Sequence, residues 1–354
     1  MIATLCHFTL DDLKKSIGTV VLLLLVPMFC YAQQSRILAL HVGDDENIYV
    51  GTETRGLFIF DKEGNKKAHL DRSNGLYANQ VRQVLQYSTD NTSFLVLGIP
   101  GYVAITSDGG RSFNYKSKAN GLLGNIITSL KTNLGDIYVG TDQGLSIIRY
   151  DKPSRSFGNI VNKTMRDGLP SDYITSMAVI TSNTRDKCTL FVGTTGGVGG
   201  SKDCGLTFSE QGTTNNGLPS NSVVSVWAMG DDHITWSNFA AGTNAGFSMG
   251  PLNFPFRFTE TYTTSQGLGN NYVTDIGPKH FLLFYSNFLI ATTNGLGVLS
   301  GSTIKNLTVA NGFDQNHIQA VDLTVQYRIV VATTTGVFLQ SETDFNKFER
   351  IRFD

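Results

Sequence analysis

A short phrase that recurs at near-constant spacing is the feature of this chain that most restricts its fold. The phrase is a turn residue, a glycine and then leucine or phenylalanine, and successive glycines are 46, 47, 49, 50 and 45 residues apart. A polar residue and a short apolar segment follow each copy. The six glycines are Gly75, Gly121, Gly168, Gly217, Gly267 and Gly312. Repeats of this length are typical of propellers and other arrays of one supersecondary unit.

A second phrase follows the first in each period. It is an apolar segment that ends in Gly-Thr or Ala-Thr, and a turn and a glycine with an apolar residue come next. The clear copies end at Thr52, Thr141, Thr194, Thr292 and Thr333. We place a degenerate copy at residues 94–98 and another around residues 234–237. The phrases together predict seven units, each with about four short β-rich segments.

The repeat predicts an all-β fold, a seven-bladed β-propeller of four-stranded antiparallel blades. A single four-stranded sheet cannot bury both apolar faces, whereas blades stacked around an axis can, and only short edges remain. A solenoid is the structural alternative, but its repeats are usually shorter, and this chain lacks helical periodicity. We expect one propeller over residues 33–354, closed by packing of the first blade against the last without strand exchange.

The first 32 residues differ from the repeats and predict a signal peptide over residues 1–32. Lys14 and Lys15 precede a short apolar run over residues 17–26, and Ala32 is a small residue suited to a cleavage site. An uncleaved anchor is the alternative, but the run is shorter than the ~20 residues that a spanning helix needs. We therefore expect an exported protein, secreted or periplasmic, with no stable membrane span after cleavage.

Two of the four cysteines would remain after cleavage, Cys188 and Cys204. An even pair in an oxidising compartment is compatible with a disulfide. The pair flanks the second and third strands of the fourth repeat, and antiparallel pairing would bring both to the same end of the blade. A disulfide would contribute about 3 kcal/mol, and two free thiols are the alternative.

Composition narrows the classes of partner. Charged residues make up 16% of the chain and the formal net charge is −1, so there is no basic footprint for nucleic acid. The histidines fall in different repeats without the spacing of a zinc site. We expect no metal, no cofactor and a monomeric protein. Calcium at the acidic turns of residues 44–46 and 231–232 is the alternative to solvated carboxylates.

The two phrases resemble the propeller repeats of two-component regulators. The resembling segments are Gly-Leu-Pro-x-Asn-x-Val and Val-Gly-Thr-x-x-Gly-Leu, and the resemblance covers roughly residues 36–354. In that family such blades form the periplasmic sensor domains of hybrid histidine kinases. The resemblance therefore implies the same fold and a sensor-like binding role. We expect no kinase in this chain, so only the binding role should carry over.

Two segments also resemble the Asp box of sialidase-like, sortilin-like and photosystem-assembly propellers. They are residues 106–113 and 201–208. The resemblance implies a hairpin turn in which the aspartate accepts amide hydrogen bonds, the glycine supplies a positive φ and the aromatic ring packs inward. The residues concerned are Asp108, Gly110 and Phe113 in the first segment, and Asp203, Gly205 and Phe208 in the second. A structural role is expected for both.

Three enzyme-like patterns lack the context that their chemistry needs. The sialidase resemblance would require an arginine triad and an Arg-Ile-Pro phrase, and the latter is absent. Residues 246–250 match Gly-x-Ser-x-Gly without the strand, sharp turn and helix of a nucleophile elbow. Residues 193–200 are glycine-rich but lack the Gly-Lys-Thr/Ser ending of a phosphate loop. We expect a non-catalytic module, with a glycan-active hydrolase or lyase as an alternative.

Propellers usually bind ligands on the face formed by the inter-blade connections and the turns between second and third strands. Aromatic rings beside amides and hydroxyls on that face suit a sugar, a peptide or a protein partner. The alternative is that these residues only complete turns and pack between blades, and a protein-assembly scaffold is a further alternative. The candidate binding residues are Arg55, Tyr77, Asp142, Tyr173, Asn238, Tyr272, Asn294 and His317.

Overall fold

The computed structural model describes residues 35–181, 188–229, 238–251, 254–278, 288–324 and 326–353. This part of the chain forms seven four-stranded antiparallel sheets, and in each the four strands are consecutive in sequence and adjacent in space. The predicted seven-bladed β-propeller is confirmed. The expected signal peptide lies outside the described residues and stays a prediction.

The first four blades contain strands β1 to β16. Blade 1 has β1 (Ile37–Val42), β2 (Ile48–Thr52), β3 (Leu57–Phe60) and β4 (Lys66–Leu70). Blade 2 has β5 (Gln83–Thr89), β6 (Thr92–Ile99), β7 (Tyr102–Thr106) and β8 (Asn114–Lys116). Blade 3 has β9 (Ile127–Asn133), β10 (Asp136–Thr141), β11 (Gly144–Asp151) and β12 (Ser156–Lys163). Blade 4 has β13 (Ile174–Ile180), β14 (Thr189–Thr194), β15 (Gly197–Ser201) and β16 (Glu210–Gly212).

The last three blades contain strands β17 to β28. Blade 5 has β17 (Val223–Met229), β18 (Asn238–Thr243), β19 (Gly246–Pro251) and β20 (Glu260–Tyr262). Blade 6 has β21 (Val273–Pro278), β22 (Phe288–Thr292), β23 (Gly295–Ser300) and β24 (Thr303–Leu307). Blade 7 has β25 (Ile318–Leu323), β26 (Ile329–Thr333), β27 (Val337–Gln340) and β28 (Phe348–Arg350).

The meander gives the ring two distinct faces. We call the upper face the one that contains the turns between second and third strands and the connections from one blade to the next. The lower face contains the turns between first and second strands and between third and fourth strands. The first strands of all seven blades line a central channel of about 450 Å³.

The first sequence phrase forms the connection between blades. In all six copies a single 3₁₀ turn is followed by the phrase glycine in the left-handed region, with φ between 95° and 107°. A side chain would be strained there, which accounts for the glycine. The residue after each glycine is buried between blades, as for Leu76 and Leu169.

The polar residue four positions after the glycine holds this connection together. In blade 4 the side chain of Asp172 accepts from the Met165 amide at 2.7 Å, the first residue of the 3₁₀ turn. Asn79, Asn221, Asn271 and Asn316 accept the equivalent bond at 2.7–2.9 Å. These recurrent polar residues therefore have a structural role.

The second phrase forms the second strand and its turn. The Thr141 hydroxyl donates to the Gly144 carbonyl across the turn at 2.8 Å. The same bond is made by Thr52, Thr194, Thr243, Thr292 and Thr333. The threonine therefore closes the upper-face turn, which explains its recurrence.

The glycine of the second phrase makes room for the next blade. A Cβ on Gly242 would lie 2.3 Å from Val273 Cγ1, and one on Gly140 would lie 2.7 Å from Ile174 Cγ2. A Cβ on Gly51, Gly98 or Gly193 would likewise lie 3.0 Å or less from Val81, Ile127 or Val223 of the following blade. Each glycine thus receives the apolar residue that begins the next first strand.

Blade 5 corrects one placement in the sequence analysis. Its copy of the second phrase is the segment Phe239–Thr243 of β18, and not residues 234–237, which lie outside the described residues. The upper-face turn is therefore at Asn244 and Ala245. Asn238 begins β18 opposite Pro251, at the lower end of the blade. This copy is hard to align from the sequence because small alanines precede its Gly-Thr ending, where the other copies that end in Gly-Thr have valine.

The ring closes without strand exchange, as predicted. Blade 1 and blade 7 share an apolar cluster that includes Ile37, Phe58, Val330 and Leu339. The Ile37 amide donates to the Thr334 carbonyl at 2.9 Å. Side-chain packing with a few hydrogen bonds therefore joins the ends of the ring.

The expected disulfide between Cys188 and Cys204 is present, with a Cα–Cα distance of 4.9 Å. It links the residue before β14 to the turn between β15 and β16. Both cysteines are buried, and the Tyr138 hydroxyl of blade 3 donates to the Cys204 carbonyl at 3.2 Å. Among the described residues no helix is long and apolar enough to cross a membrane.

We expect Gly242→Ala to lower the free energy of unfolding by about 1–3 kcal/mol, because the new methyl group would overlap Val273 in a packed interface. Gly158→Ala is the matched control, since a Cβ at Gly158 in β12 meets nothing within 4 Å. Denaturant unfolding of both variants and the wild type measures the effect. Equal midpoints for the two variants would contradict the packing argument.

Replacing Cys188 and Cys204 together by alanine should lower the unfolding free energy by about 3 kcal/mol, because the bond restricts a loop with a sequence separation of 16 in the unfolded chain. Thermal unfolding with and without a reducing agent measures this. The wild type should lose stability on reduction, whereas the double variant should not respond. A wild type that is insensitive to reduction would contradict the prediction.

Candidate functional site

Exposed apolar side chains are concentrated on the upper face. Among the described residues, nine large apolar side chains are exposed, and six of them lie on this face. The six are Tyr77, Ile126, Met165, Tyr173, Tyr272 and Val309. The remaining three are on the lower face, namely Leu206, Tyr327 and Phe345. This asymmetry indicates which face is suited to binding.

Part of this set forms a rim around the upper mouth of the channel. We define the rim as the residues immediately before the first strands of blades 3 to 7, which are Ile126, Tyr173, Ser222, Tyr272 and His317. Ile126, Tyr173 and Tyr272 are 42–44% exposed. The rim therefore presents aromatic and apolar side chains on both sides of the small Ser222.

The backbone of the rim is fixed by the upper-face turns. The Tyr173 carbonyl accepts from the Thr195 amide, and the Tyr272 carbonyl accepts from the Thr293 amide, each at 3.3 Å. Ile126 and Ser222 accept the same bond from Asp142 and Asn244. The exposed side chains thus project from a backbone that is bonded on both sides, which suits a preformed binding surface.

Below the rim, polar side chains connect each first strand to the next. The Asp275 carboxylate accepts from the Val321 amide at 3.0 Å and from the Ser225 hydroxyl at 3.1 Å. Asp322 accepts from the Val42 amide at 2.8 Å. These bonds join blades 5, 6, 7 and 1 through groups that line the channel.

Two groups that line the channel have shifted pKa values. Burial raises the pKa of Asp275 to about 6, against the opposing effect of the hydrogen bonds from Val321, Ile276 and Ser225. Burial lowers the pKa of His41, against the attraction of Asp322, whose carboxylate oxygen lies 3.9 Å from His41 Nδ1. His41 Nε2 lies 3.1 Å from the Gln86 carbonyl, which it contacts as a donor.

The structure brings together only part of the set predicted from the sequence. Tyr173, Tyr272 and His317 belong to the rim, whereas Tyr77 and Arg55 lie on the upper face nearer blades 1 and 2. Asn238 is at the lower end of β18 and is a wrong assignment to this face. The predicted ligand contacts themselves stay a prediction.

Two of the predicted residues use their side-chain polar groups in hydrogen bonds within the fold. The Asp142 carboxylate accepts from the Ile126 amide at 3.2 Å. Asn294 donates to the Gly269 carbonyl at 3.0 Å and accepts from the Asn316 amide group at 3.1 Å. Their side chains bond the turn between the second and third strands to the inter-blade connections.

Sequence reasoning did not select Ile126 or Asp275. Ile126 occupies the repeat position of Tyr173 and Tyr272, so aligning the copies at that offset would have found it. Asp275 follows an extra residue in its strand, because the pairing register shifts between Val273 and Asp275. Such a bulge has no signal in the sequence pattern.

On the lower face, two turns organise around an aspartate. Asp108 accepts from the Arg111 and Ser112 amides at 3.0 Å and from the Ser112 hydroxyl at 2.6 Å. Hydrogen bonds from Ser112, and then from Thr106, lower the pKa of Asp108. Gly110 has φ of 90°, and Phe113 is half-buried.

The second of these turns repeats the arrangement. Asp203 accepts from the Thr207 amide at 2.8 Å and from its hydroxyl at 2.6 Å. Burial tends to raise the pKa of Asp203, but the bonds from Thr207 and Ser201 outweigh it and lower the pKa. Gly205 has φ of 84° and Phe208 is buried. The likeness of both turns to the Asp box stays a sequence-based prediction.

The enzyme-like patterns have structural positions. Ser248, from the Gly-x-Ser-x-Gly match, lies within β19, and its hydroxyl contacts the Thr261 hydroxyl at 2.5 Å. The glycine-rich segment of blade 4, residues 193–200, includes four of the five residues of β15 (Gly197–Ser201). No group of three or more His, Cys, Asp or Glu residues that could hold a metal ion occurs in the described ranges.

No protein-family model and no curated protein matches this chain. Solved structures do. The chain is similar to the extracellular domain of a hybrid two-component system from B. thetaiotaomicron, with 18% identity and a TM-score of 0.61, over 87% of this chain and 38% of that one. The predicted likeness to propellers of this type is confirmed at the level of fold.

Two further structures have the same fold. PorZ, a surface component of the type-IX secretion system of Porphyromonas gingivalis, is 15% identical with a TM-score of 0.59, over 90% of this chain and 39% of PorZ. The WD40 β-propeller domain of Doa1 is 10% identical with a TM-score of 0.62, over 88% of this chain and 95% of that domain. This chain thus spans about two fifths of the two bacterial proteins.

We predict that Asp275→Asn flattens part of the pH dependence of stability. A carboxyl whose pKa is raised in the folded state lowers stability as the pH rises from its ordinary value towards about 6, because the unfolded chain ionises first, and the loss levels off above that pH. The variant should therefore gain about 1.4 kcal/mol relative to the wild type between pH 5 and pH 8. His41, Lys131 and Asp322 also line the channel and are unchanged in both proteins, so their contributions largely cancel in the difference.

Urea unfolding at a series of pH values measures this difference, and a carboxyl carbon NMR titration of Asp275 gives its pKa directly. Parallel stability curves for the wild type and the variant would contradict the prediction, as would an Asp275 titration near the ordinary aspartate range.

Proposed function

We propose that this protein is a non-catalytic ligand-binding propeller that binds its ligand on the upper face, at the rim around the channel mouth. The single observation behind this proposal is the concentration of exposed apolar side chains on that face, including Ile126, Tyr173 and Tyr272. Exposed aromatic groups on a rigid concave surface are the usual setting of a binding site.

The contrast with the lower face supports this choice. Ion pairs join neighbouring turns there, such as Lys62 with Glu46 at 3.0 Å, Lys152 with Asp90 at 3.3 Å and Arg328 with Glu342 at 3.1 Å. Solvated charge pairs of this kind favour a face that stays in water. The upper face also has the ion pairs Lys163–Asp167 and Arg350–Asp314, but none of these residues belongs to the rim, which offers apolar area.

The ligand classes that this rim fits are a glycan, a peptide or a segment of a protein partner, because rings beside backbone amides and hydroxyls suit all three. We infer a sensor-like role from the similarity to the extracellular domain of a hybrid two-component system. Export, with a signal peptide over residues 1–32 and a propeller over residues 33–354, is part of the proposal. The disulfide supports export, since such bonds persist in oxidising compartments.

Glycan and peptide arrays probed with residues 33–354 test the proposal. We expect saturable binding without turnover, and a loss of about tenfold in affinity for Tyr173→Ala and Tyr272→Ala, the effect of removing one well-packed aromatic contact. Tyr327→Ala is the matched control, because Tyr327 is a similarly exposed tyrosine on the lower face.

Equal losses in the rim variants and the Tyr327 variant would refute an upper-face site. No array signal, together with a protein captured through the rim, would favour a scaffold function. Release of a product from a bound glycan would favour an enzyme.

A further inference from the structure

Three tyrosines form a cluster on the upper face where blade 1 meets blade 2. The rings of Tyr77 and Tyr115 are stacked, with centroids 3.7 Å apart and planes 8° from parallel. Tyr102 meets the edge of Tyr77 at 5.3 Å and 87°. Tyr115 and Tyr102 are half-buried, whereas Tyr77 is 58% exposed. One face of Tyr77 is therefore covered by Tyr115, and its other face is open.

The repeat shows that the fold does not need aromatic rings at these positions. At the position of Tyr102 the other six blades have glycine, namely Gly56, Gly144, Gly197, Gly246, Gly295 and Gly336. At the position of Tyr77 the other connections have Leu123, Pro170, Pro219, Gly269 and Asp314. At the position of Tyr115 the other blades have His69, Asn162, Gln211, Thr261, Asn306 and Arg350.

The structural duty of Tyr115 can be met by a smaller polar residue. Its hydroxyl donates to the carbonyl of the connection glycine Gly75 at 2.7 Å. Asn162 and Gln211 make the equivalent bond to Gly121 and Gly168 at 2.9 and 3.1 Å. The ring of Tyr115 is thus additional to the scaffold, and what it adds is support for the ring of Tyr77.

We propose that the open face of Tyr77 is a stacking platform for one pyranose residue of a glycan. A ring held from behind by Tyr115 and at its edge by Tyr102 offers a flat, rigid surface, and the C–H face of a sugar ring packs on such a surface. The platform is a second site, separate from the rim, and does not depend on the rim ligand.

The available area decides between a sugar and a protein. An entire tyrosine side chain contributes roughly 150–250 Å², and Tyr77 has 58% of its surface exposed. A stable protein interface buries about 800 Å² on each partner, around a hydrophobic centre. The platform is several-fold too small for a protein contact, whereas it matches the face of one sugar ring.

Calorimetric titration of the propeller with cellohexaose, mannohexaose, xylohexaose, maltohexaose and hexagalacturonate tests the proposal. Tyr77→Leu removes the planar ring but keeps an apolar residue that blade 3 has at this position, Leu123, so the fold should be retained. We expect at least one oligosaccharide to bind the wild type, and the affinity to fall about five- to tenfold in Tyr77→Leu. Tyr77→Phe, which keeps the ring, should bind like the wild type.

Thermal unfolding of each variant shows whether the fold is intact, and ring proton shifts of Tyr77 on titration report contact directly. The proposal is overturned if no oligosaccharide binds at millimolar concentration, or if Tyr77→Leu binds like the wild type. Tyr173→Ala separates the two sites. An affinity lost only in that variant would retain the rim function and refute the platform, whereas an affinity lost only in Tyr77→Leu would establish the platform by itself.

Discussion

Contact between a glycine in one blade and a branched side chain in the next determines how this ring is built. Near the axis the sheets converge, so the second strand of each blade has only glycine or alanine where the following first strand approaches. Gly242 and Val273 are the tightest example, with 2.3 Å between a hypothetical Cβ and Cγ1. In blades 6 and 7 alanine takes this place, at Ala291 and Ala332. The second phrase therefore supplies the small residue of this inter-blade contact, and the apolar segment after the first phrase supplies the branched residue. Both phrases recur once per blade for this reason.

The first strands have a second requirement, because one edge of each faces the channel and not another strand. Free edges expose backbone amides and carbonyls. Asp275 and Asp322 accept amides of the following blade, Thr274 donates to the Ile318 carbonyl at 2.6 Å, and Ser176 accepts from Val226 at 3.2 Å. The bond from the Val42 amide to Asp322 joins blade 1 to blade 7, which compensates for the absence of a shared strand where the ring closes. The raised pKa of Asp275 is the electrostatic consequence of using a carboxylate there.

The sequence was sufficient for the fold because phrase glycines and threonines report backbone geometry directly. It was also sufficient to select Tyr173, Tyr272 and His317, because each of these rim residues lies five positions after a connection glycine. It failed where side chains of distant segments fit together. A Cβ at Gly200 in β15 would lie 2.2 Å from the Phe254 ring of blade 5, and nothing in the repeat pattern indicates this contact. Blade 5 differs from the other repeats in part because its aromatic segment fills the space that the glycines of β15 leave.

This division between scaffold and variable positions also indicates where the proposed binding residues can occur. Positions whose side chains close turns or receive a neighbouring blade are glycine, alanine, threonine, asparagine or aspartate in nearly every blade, with Ile99 of blade 2 as an exception. The side chains of the residue before each first strand and of the residue two after each connection glycine make no bond that recurs through the ring, so these side chains can vary at little cost to the fold. Those two offsets are where Tyr173, Tyr272 and Tyr77 occur. A repeat protein can thus acquire different binding sites on separate blades.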